Sequence, residues 1–360
     1  MCRWQAHAST TGGTSTSRGA SGTGWRRGDE RDDAKTETKR EKPLGAFTRA
    51  IAGAFAGGVS RVTVAPLDVV KIRMQVQVEP VGGVSGKGGA TAGKYRGIVQ
   101  CATTILKEEG ARGLWAGTVP ALFLWVPYTA IQFAALGEFR KVVERGGLDP
   151  SSAPVAFVGG AVAGASATVC TYPFDVMRTV LAAQGHPRVY DSVFSAARGI
   201  IKDKGPLGLY AGCGVTLIEI MPASAIQFGT YALLRKAAMI AEGLEATDGG
   251  DSEGRKLSST ANAACGFGAG CIARLIIHPL DVVKKRFQVA GLARSLRYGE
   301  RVAPAAYKNF GGAFAAIAQR EGLRGFYKGL LPGIIKSAPA SAITFAVYEA
   351  VTRVLAAVAL

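Results

Sequence analysis

Hydrophobic positions along the chain gather into six long stretches, at about 46–75, 117–141, 154–182, 212–236, 260–288 and 330–356. Each is long enough to cross hydrocarbon as a helix, which takes roughly 20 residues. None is an uninterrupted apolar run, because charges and prolines break every one of them. Between the stretches, segments such as YRGIVQCATTILKEEG carry an apolar stripe and a charged face. That pattern predicts a short helix lying in the membrane interface. The expected architecture is an all-α membrane protein with six transmembrane helices.

The interruptions repeat. APLDVVKIRMQ, YPFDVMRTVLA and HPLDVVKKRFQ place prolines at Pro66, Pro173 and Pro279, which are 107 and 106 residues apart. Nine residues before each proline, a glycine closes a GxxxG pair: Gly53/Gly57, Gly160/Gly164 and Gly266/Gly270. Small residues at this spacing let helices approach closely in lipid. Further on, Tyr95/Gly110, Tyr190/Gly205 and Tyr307/Gly322 share one spacing, followed by Trp115/Gly117, Tyr210/Gly212 and Tyr327/Gly329. Pro127, Pro222 and Pro339 then open VPYTAIQF, MPASAIQF and APASAITF in register. Length differs only before the tyrosine, where a Gly-rich stretch near 81–94 and a basic stretch near 291–306 read as loops. The chain therefore divides into three pseudo-symmetric repeats, at 43–145, 153–241 and 258–356. Each has a kinked odd helix, a short interfacial helix and an even helix. Residues 242–257 form a linker.

Proline kinks a helix by removing a donor and crowding the preceding turn. The acid two residues later and the base three beyond it lie near one helix face. An ionised residue inside a span costs about 2.5–3.5 kcal/mol and needs water or a partner. Two arrangements meet that need. Acid and base pair within each helix, or each acid meets the base of the next odd helix and closes a ring.

The net charge of +17, from 43 Lys+Arg against 26 Asp+Glu, suits an anionic ligand or membrane surface. Nucleic acid fits poorly, since the basic residues form no stripe. Six cysteines and three histidines show no CxxC or metal spacing. Cys101, Cys170, Cys213, Cys265 and Cys271 read as small buried residues. Residues 1–42, rich in Ser, Thr, Gly and Arg with the mixed run GDERDDAKTETKREK, read as disordered.

Pro-x-Asp-x-x-Lys/Arg at threefold spacing resembles the mitochondrial carrier family, as do Glu109-Gly110…Trp115-x-Gly117 and Glu321-Gly322…Tyr327-Lys328-Gly329. In the second repeat Lys204-Gly205 lacks the acid. The resemblance covers about residues 45–356. It implies a solute carrier of the mitochondrial inner membrane, not an enzyme, with both termini facing the intermembrane space. A matrix gate would pair Asp68 with Arg178, Asp175 with Lys284 and Asp281 with Lys71. Glutamine braces fall at Gln75 and Gln288, whereas Ala182 breaks the pattern. The cytoplasmic gate thins to Leu136-Gly137-x-x-Arg140, Tyr231-Ala232-x-x-Arg235 and Tyr348-Glu349-x-x-Thr352. Its lock reduces to Glu349 with Arg140 or Arg235.

Residues that break the threefold symmetry at midplane depth are the substrate candidates. Three residues before the even-helix prolines stand Leu124, Glu219 and Lys336, followed by Trp125, Ile220 and Ser337. Five before the odd-helix prolines stand Arg61, Thr168 and Arg274. Arg61, Arg274 and Lys336 suit a phosphorylated anion. Glu219 either pairs with one of these bases or faces a cationic part of the substrate, and Trp125 would stack on such a ring. A diphosphate ester bearing a cationic ring uses both features. APLDVVKIRMQVQ, GTVPALFLWVPYTAIQF, YPFDVMRTVLAAQGHPRVYDS and HPLDVVKKRFQV resemble most the family members that carry thiamine pyrophosphate. Val180 departs, where Arg73 and Arg286 occupy the equivalent positions. Exchange of thiamine pyrophosphate with a nucleotide, by alternating access, is the expected activity, and coenzyme A or an adenine nucleotide is the alternative cargo. A non-transporting scaffold or proton leak is the alternative role. The expectation is a monomer without cofactor or metal, in contact with the bilayer and with cardiolipin at the interfacial helices.

Overall fold

The computed structural model describes residues 46–78, 93–147, 149, 152–241, 258–292, 302, 307 and 309–358. The expectations for 1–42 and 242–257, and most of those for 81–94 and 291–306, fall outside them. Every regular element among the described residues is helical. The first repeat has α1 (Ala46–Val76), α2 (Ile98–Glu109) and α3 (Thr118–Arg145). The second has α4 (Ala153–Ala183), α5 (Val193–Lys204) and α6 (Cys213–Ala241). The third has α7 (Ser259–Val289) and α8 (Phe310–Glu321), then an even span divided into α9 (Leu330–Ile335) and α10 (Ser337–Val358). That division falls at Lys336, just before Pro339, whose missing N–H leaves the Ile335 carbonyl without its helical donor.

The helices close a circuit. α3 packs on α4, α6 on α7 and α10 on α1, while α1 also meets α3 and α4 also meets α6 within their repeats. The three odd helices touch one another pairwise, α1 with α4, α4 with α7 and α7 with α1. Five segments are long and apolar enough to cross a membrane: Ala111–Arg145, Val155–Ala183, Pro206–Ala241, Thr260–Val289 and Leu323–Leu355. α1 has the length, at 31 residues, and carries Arg61, Asp68, Lys71 and Arg73 along it. The outward face is apolar in threefold register. Phe133, Phe228 and Phe345, which end the three in-register segments, are 70%, 51% and 57% exposed. Large exposed aromatics on every even helix fit a surface wetted by lipid.

The buried apolar core sits at one end, where the odd helices converge on the short helices. Cys101 and Ile105 on α2, Ala196 and Ile200 on α5, and Ala313 and Ile317 on α8 are the same pair of inward positions in each repeat. Gly117, Gly212 and Gly329 then set each even helix against an odd helix of another repeat. All three have positive φ, at 79°, 84° and 76°. A Cβ on them would lie 2.5 Å from the Arg178 carbonyl oxygen, 3.2 Å from that of Lys284 and 2.9 Å from that of Lys71, respectively. Glycine is therefore required twice over, by conformation and by close approach.

The cysteines correct one expectation. Cys101 and Cys265 are buried, Cys213 and Cys271 are half-buried, and Cys170 is exposed; all five are free. Cys170 points outward from α4, where an apolar sequence context reflects contact with lipid rather than with protein. Burial pushes the Cys101 thiol up to about 12. Folded protein in detergent at pH 8 should therefore leave Cys101 unlabelled by maleimide, as read by mass spectrometry. Its labelling should become rapid at pH 8 once SDS unfolds the chain, because exposure restores both access and the reactive thiolate.

Candidate functional site

The charged residues of the three proline motifs meet where the odd helices converge. Asp68 Oδ2 on α1 lies 2.6 Å from Arg178 Nη2 on α4. Asp281 Oδ2 on α7 lies 2.6 Å from Lys71 Nζ on α1. Asp175 on α4 lies 3.5 Å from Lys284 Nζ on α7 and 3.3 Å from Lys285 Nζ beside it. Each acid thus answers a base on the next odd helix rather than its own, and the circuit α1–α4–α7–α1 is closed by charge. All of these side chains are largely shielded. Removing one partner of such a pair costs about 3–5 kcal/mol, because the other charge is left uncompensated.

The three contacts are supported differently. Gln75 donates to Asp281 Oδ2 at 3.3 Å. Gln288 donates to Asp175 Oδ2 at 2.8 Å, and accepts from Lys285 at 3.0 Å. Lys285 also donates to Thr179 Oγ1 at 2.9 Å. At the Asp68–Arg178 contact the matching position is Ala182, which has nothing to offer. There Lys336 pairs with Asp68 Oδ1. Sequence reasoning placed Lys336 among the substrate contacts, and the structure places it on an acid of the ring.

A second layer lies outside the ring. Arg73 forks onto Glu109, with Nη2 at 2.8 Å from Oε2, and Nε donates to the Ala182 carbonyl at 3.0 Å. Arg286 repeats this in the third repeat, 2.8 Å from Glu321 Oε2 and 3.0 Å from the Gln75 carbonyl. Lys328 joins Glu321 and donates to the Gln77 carbonyl at 2.9 Å. Each arginine fastens its interfacial helix to its own odd helix and reaches across to the next one. In the second repeat Val180 and Lys204 stand at these positions, so this fork is missing. Burial lowers the Lys204 pKa, against a small upward pull from Asp203.

Two cavities open beside the ring on its inner side. One, of about 380 Å³, is lined by Leu124, Tyr128, Thr168, Thr171 and Ile220, among others, with Asp175 and Lys284 at its base. The other, of about 330 Å³, is lined by Arg274, Lys336, Lys71, Gln227, His278 and Asp281. Glu219 lines both. Its Oε2 and the His278 Nδ1 are buried with no hydrogen-bond partner among the described residues. The expectation that Glu219 makes an ion pair with Lys336 or Arg274 is not met.

Four further candidates lie elsewhere than expected. Arg61 stands 4.3 Å from the centre of the Trp125 ring. Trp125 is wedged against α1, where a Cβ on Gly57 would come 2.5 Å from its Nε1. One face of the ring is taken by Arg61, and Arg61 borders a narrow cleft with Asp68 and Arg178. Ser337 donates to the Gly333 carbonyl of its own span at 3.2 Å and lines neither large cavity. At the opposite end, Glu349 pairs with Arg353 at 3.6 Å along α10, and not with Arg140 or Arg235. Its side chain is 67% exposed, as expected of an end whose helices are not drawn together. Tyr231, from the same pattern, donates instead to Asn262 at 2.7 Å.

Lys285, Thr171, Tyr128 and His278 escaped sequence reasoning. The signal for Lys285 was its position: Ile72, Thr179 and Lys285 follow the three ring bases, so only the third repeat doubles its charge. His278 likewise stands where the other repeats have Ala65 and Tyr172.

A closed ring of six spans, tied at one end by interhelical ion pairs around a polar interior, defines a membrane transport protein. The sequence matches the family described as "Mitochondrial carrier protein" over residues 42–146, 149–241 and 255–358. The chain belongs to the mitochondrial carrier family. It is 44% identical over 311 residues to "Mitochondrial thiamine diphosphate carrier 1" of Zea mays, covering 84% of this chain and 93% of that protein. It is 43% identical over 326 residues to "Mitochondrial thiamine diphosphate carrier 1" of Arabidopsis thaliana, covering 87% and 96%. To the human "Mitochondrial thiamine pyrophosphate carrier" it is 35% identical over 322 residues, covering 89% and 94%.

The uneven outer layer yields an expected outcome. Glu109→Ala strands the buried Arg73 charge and should lower stability by about 3–5 kcal/mol. Lys204→Ala, at the equivalent position without an arginine, should cost clearly less. Thermal unfolding of the two purified variants in detergent checks the difference.

Proposed function

We propose that the chain carries thiamine pyrophosphate across the mitochondrial inner membrane by alternating access, in exchange for a nucleotide. Both termini face the intermembrane space and the ion-pair ring faces the matrix. The observation that carries this reading is the pair of adjoining cavities that share Glu219. One wall is strongly basic, with Arg274, Lys336 and Lys71, and suits a diphosphate. The other is built of Leu124, Ile220, Tyr128 and threonines, and suits a flat heterocycle. Glu219 stands between them, where a substrate anionic at one end and cationic in the middle brings its positive ring. Each cavity falls within the usual span for small-molecule sites, about 300–1,000 Å³. The names of the plant, fungal and human relatives support the same cargo.

In this reading Arg274 offers a planar fork for phosphate oxygens and Lys336 a movable point charge. Substrate contacts compensate for the ion pairs given up as the ring opens, and the far end then draws together. Swinging such an equilibrium from 1:99 to 99:1 takes about 5.5 kcal/mol of differential affinity, which a few charge-assisted contacts supply. Glu349 with Arg140 or Arg235 would form the lock of that second state. Gln75 and Gln288 brace the first. The carrier works as a monomer, performs no covalent chemistry and needs no cofactor or metal. Cardiolipin meets it at the interfacial helices.

Reconstituted into liposomes, the protein should take up labelled thiamine pyrophosphate in exchange for internal nucleotide. Uptake of ADP or coenzyme A with none of thiamine pyrophosphate would overturn the assignment, and a substrate-independent proton current would favour a leak. The Glu219→Gln variant should lose about tenfold in competition by thiamine pyrophosphate, the worth of a hydrogen bond to a charged group. Competition by inorganic pyrophosphate, which has no ring, should be unchanged. Equal loss for both would remove Glu219 from the ring's site.

A further inference from the structure

The ring has three contacts between odd helices, and each holds its acid with more than one group. At α7–α1, Asp281 is held by Lys71 and Gln75. At α4–α7, Asp175 is held by Lys284, Lys285 and Gln288. At α1–α4, Asp68 is held by Arg178 and Lys336. In the first two cases every supporting group comes from the odd helix that supplies the base. In the third that helix offers Ala182, and the support comes from the even span of another repeat. Gln75, Lys285 and Gln288 line neither of the two cavities, whereas Lys336 lines one, alongside Arg274. It sits at the point where that span divides into α9 and α10.

We infer that Lys336 replaces the glutamine missing at Ala182, holding Asp68 and Arg178 together until a phosphate group competes for its ammonium, so that substrate removes the brace of the α1–α4 contact. This rests on the reading of the basic cavity as the diphosphate site. A carboxylate and a phosphate are both strong acceptors for an ammonium, and phosphate brings more charge and more oxygens. Lysine suits the role because its charge is compact and its stem flexible. A glutamine at 182 would brace the pair equally well and would not respond to the ligand. The asymmetry therefore makes the brace of one contact of three sensitive to cargo, while Gln75 and Gln288 brace the others from outside both cavities.

The test uses the full chain, purified in detergent and reconstituted. Lys336→Gln should lower the thermal unfolding midpoint of the ligand-free protein, by about 1–2 °C for a loss near 1 kcal/mol. Adding Ala182→Gln should return most of that loss, yet thiamine pyrophosphate uptake and its stabilising shift should stay abolished in the double variant. Asp68→Asn combined with Lys336→Gln should unfold no lower than Asp68→Asn alone, which reads the contact without depending on the new glutamine. An unchanged midpoint in Lys336→Gln, or full additivity with Asp68→Asn, would overturn the bracing role. Recovery of uptake in Ala182→Gln/Lys336→Gln would overturn the phosphate role. Wild-type protein that neither takes up nor is stabilised by thiamine pyrophosphate would refute the cargo alone, leaving the ligand-free comparison to decide the brace.

Discussion

Three carboxylates placed inside membrane-spanning helices are the constraint from which the architecture follows. Asp68, Asp175 and Asp281 cannot face hydrocarbon, and each follows a proline inside its helix, the residue type at which helices bend. A partner on the same helix would satisfy each acid without making a fold. Partners on the next helix satisfy the acids only if all three odd helices meet, and only a closed ring lets every acid do so. The even helices are then positioned by glycine. Gly117, Gly212 and Gly329 let their backbones settle onto the carbonyls of Arg178, Lys284 and Lys71, the same residues whose side chains close the ring. Charge and close packing thus act on the same three points of the chain. The apolar core gathers at that end, so stability is concentrated where the helices converge.

The threefold scaffold is not equally strong at its three seams. Two repeats fasten their interfacial helix with a buried arginine–glutamate fork that reaches the neighbouring odd helix. The second repeat, with Val180 and Lys204, has none. The α4–α7 seam that such a fork would span instead carries the doubled lysine, with Lys284 and Lys285 on Asp175. Charge inside the ring stands where charge outside it is missing. The α1–α4 seam has the outer arginine and lacks the inner glutamine. Each seam that loses one device carries another, and the replacements are chemically different, so the seams respond differently to whatever enters the interior.

The scaffold was legible in the sequence because it repeats. Matched offsets among prolines, glycines and aromatics gave the spans and the interfacial helices, whereas the pairing of each acid with the next helix came from the resemblance to the carrier family, spacing alone leaving a pair within each helix equally open. What escaped was what occurs once. Lys336 reads by position as a substrate contact, and only the packing of three repeats shows it reaching Asp68 from a third helix. Trp125 reads as a stacking platform, and only the crossing at Gly57 shows it wedged there with Arg61 against one face. Glu349 reads as half of a lock, yet with the opposite end of the ring drawn together its own Arg353 is nearer. A periodic signal fixes which residues share a level in the bundle. It does not say which long side chain wins a shared partner, since that turns on ångström-scale reach.

Glu219 shows why the interior reads as a binding site rather than as further scaffold. A buried carboxylate oxygen without a partner costs about 1–3 kcal/mol. Lysines border both of the cavities that Glu219 faces, and Oε2 bonds to none of them. The nearby lysines are committed to the ring: Lys284 to Asp175, Lys71 to Asp281 and Lys336 to Asp68. Taking any of them for Glu219 would weaken a contact between odd helices. The acid's unmet need is therefore sustained by the ring itself, and a diffusible cation can satisfy it without cost to the helices. In the reading proposed above, the heterocycle meets that need while the diphosphate draws on Lys336. One end of the cargo relieves a deficit left by the closed ring, and the other end loosens it.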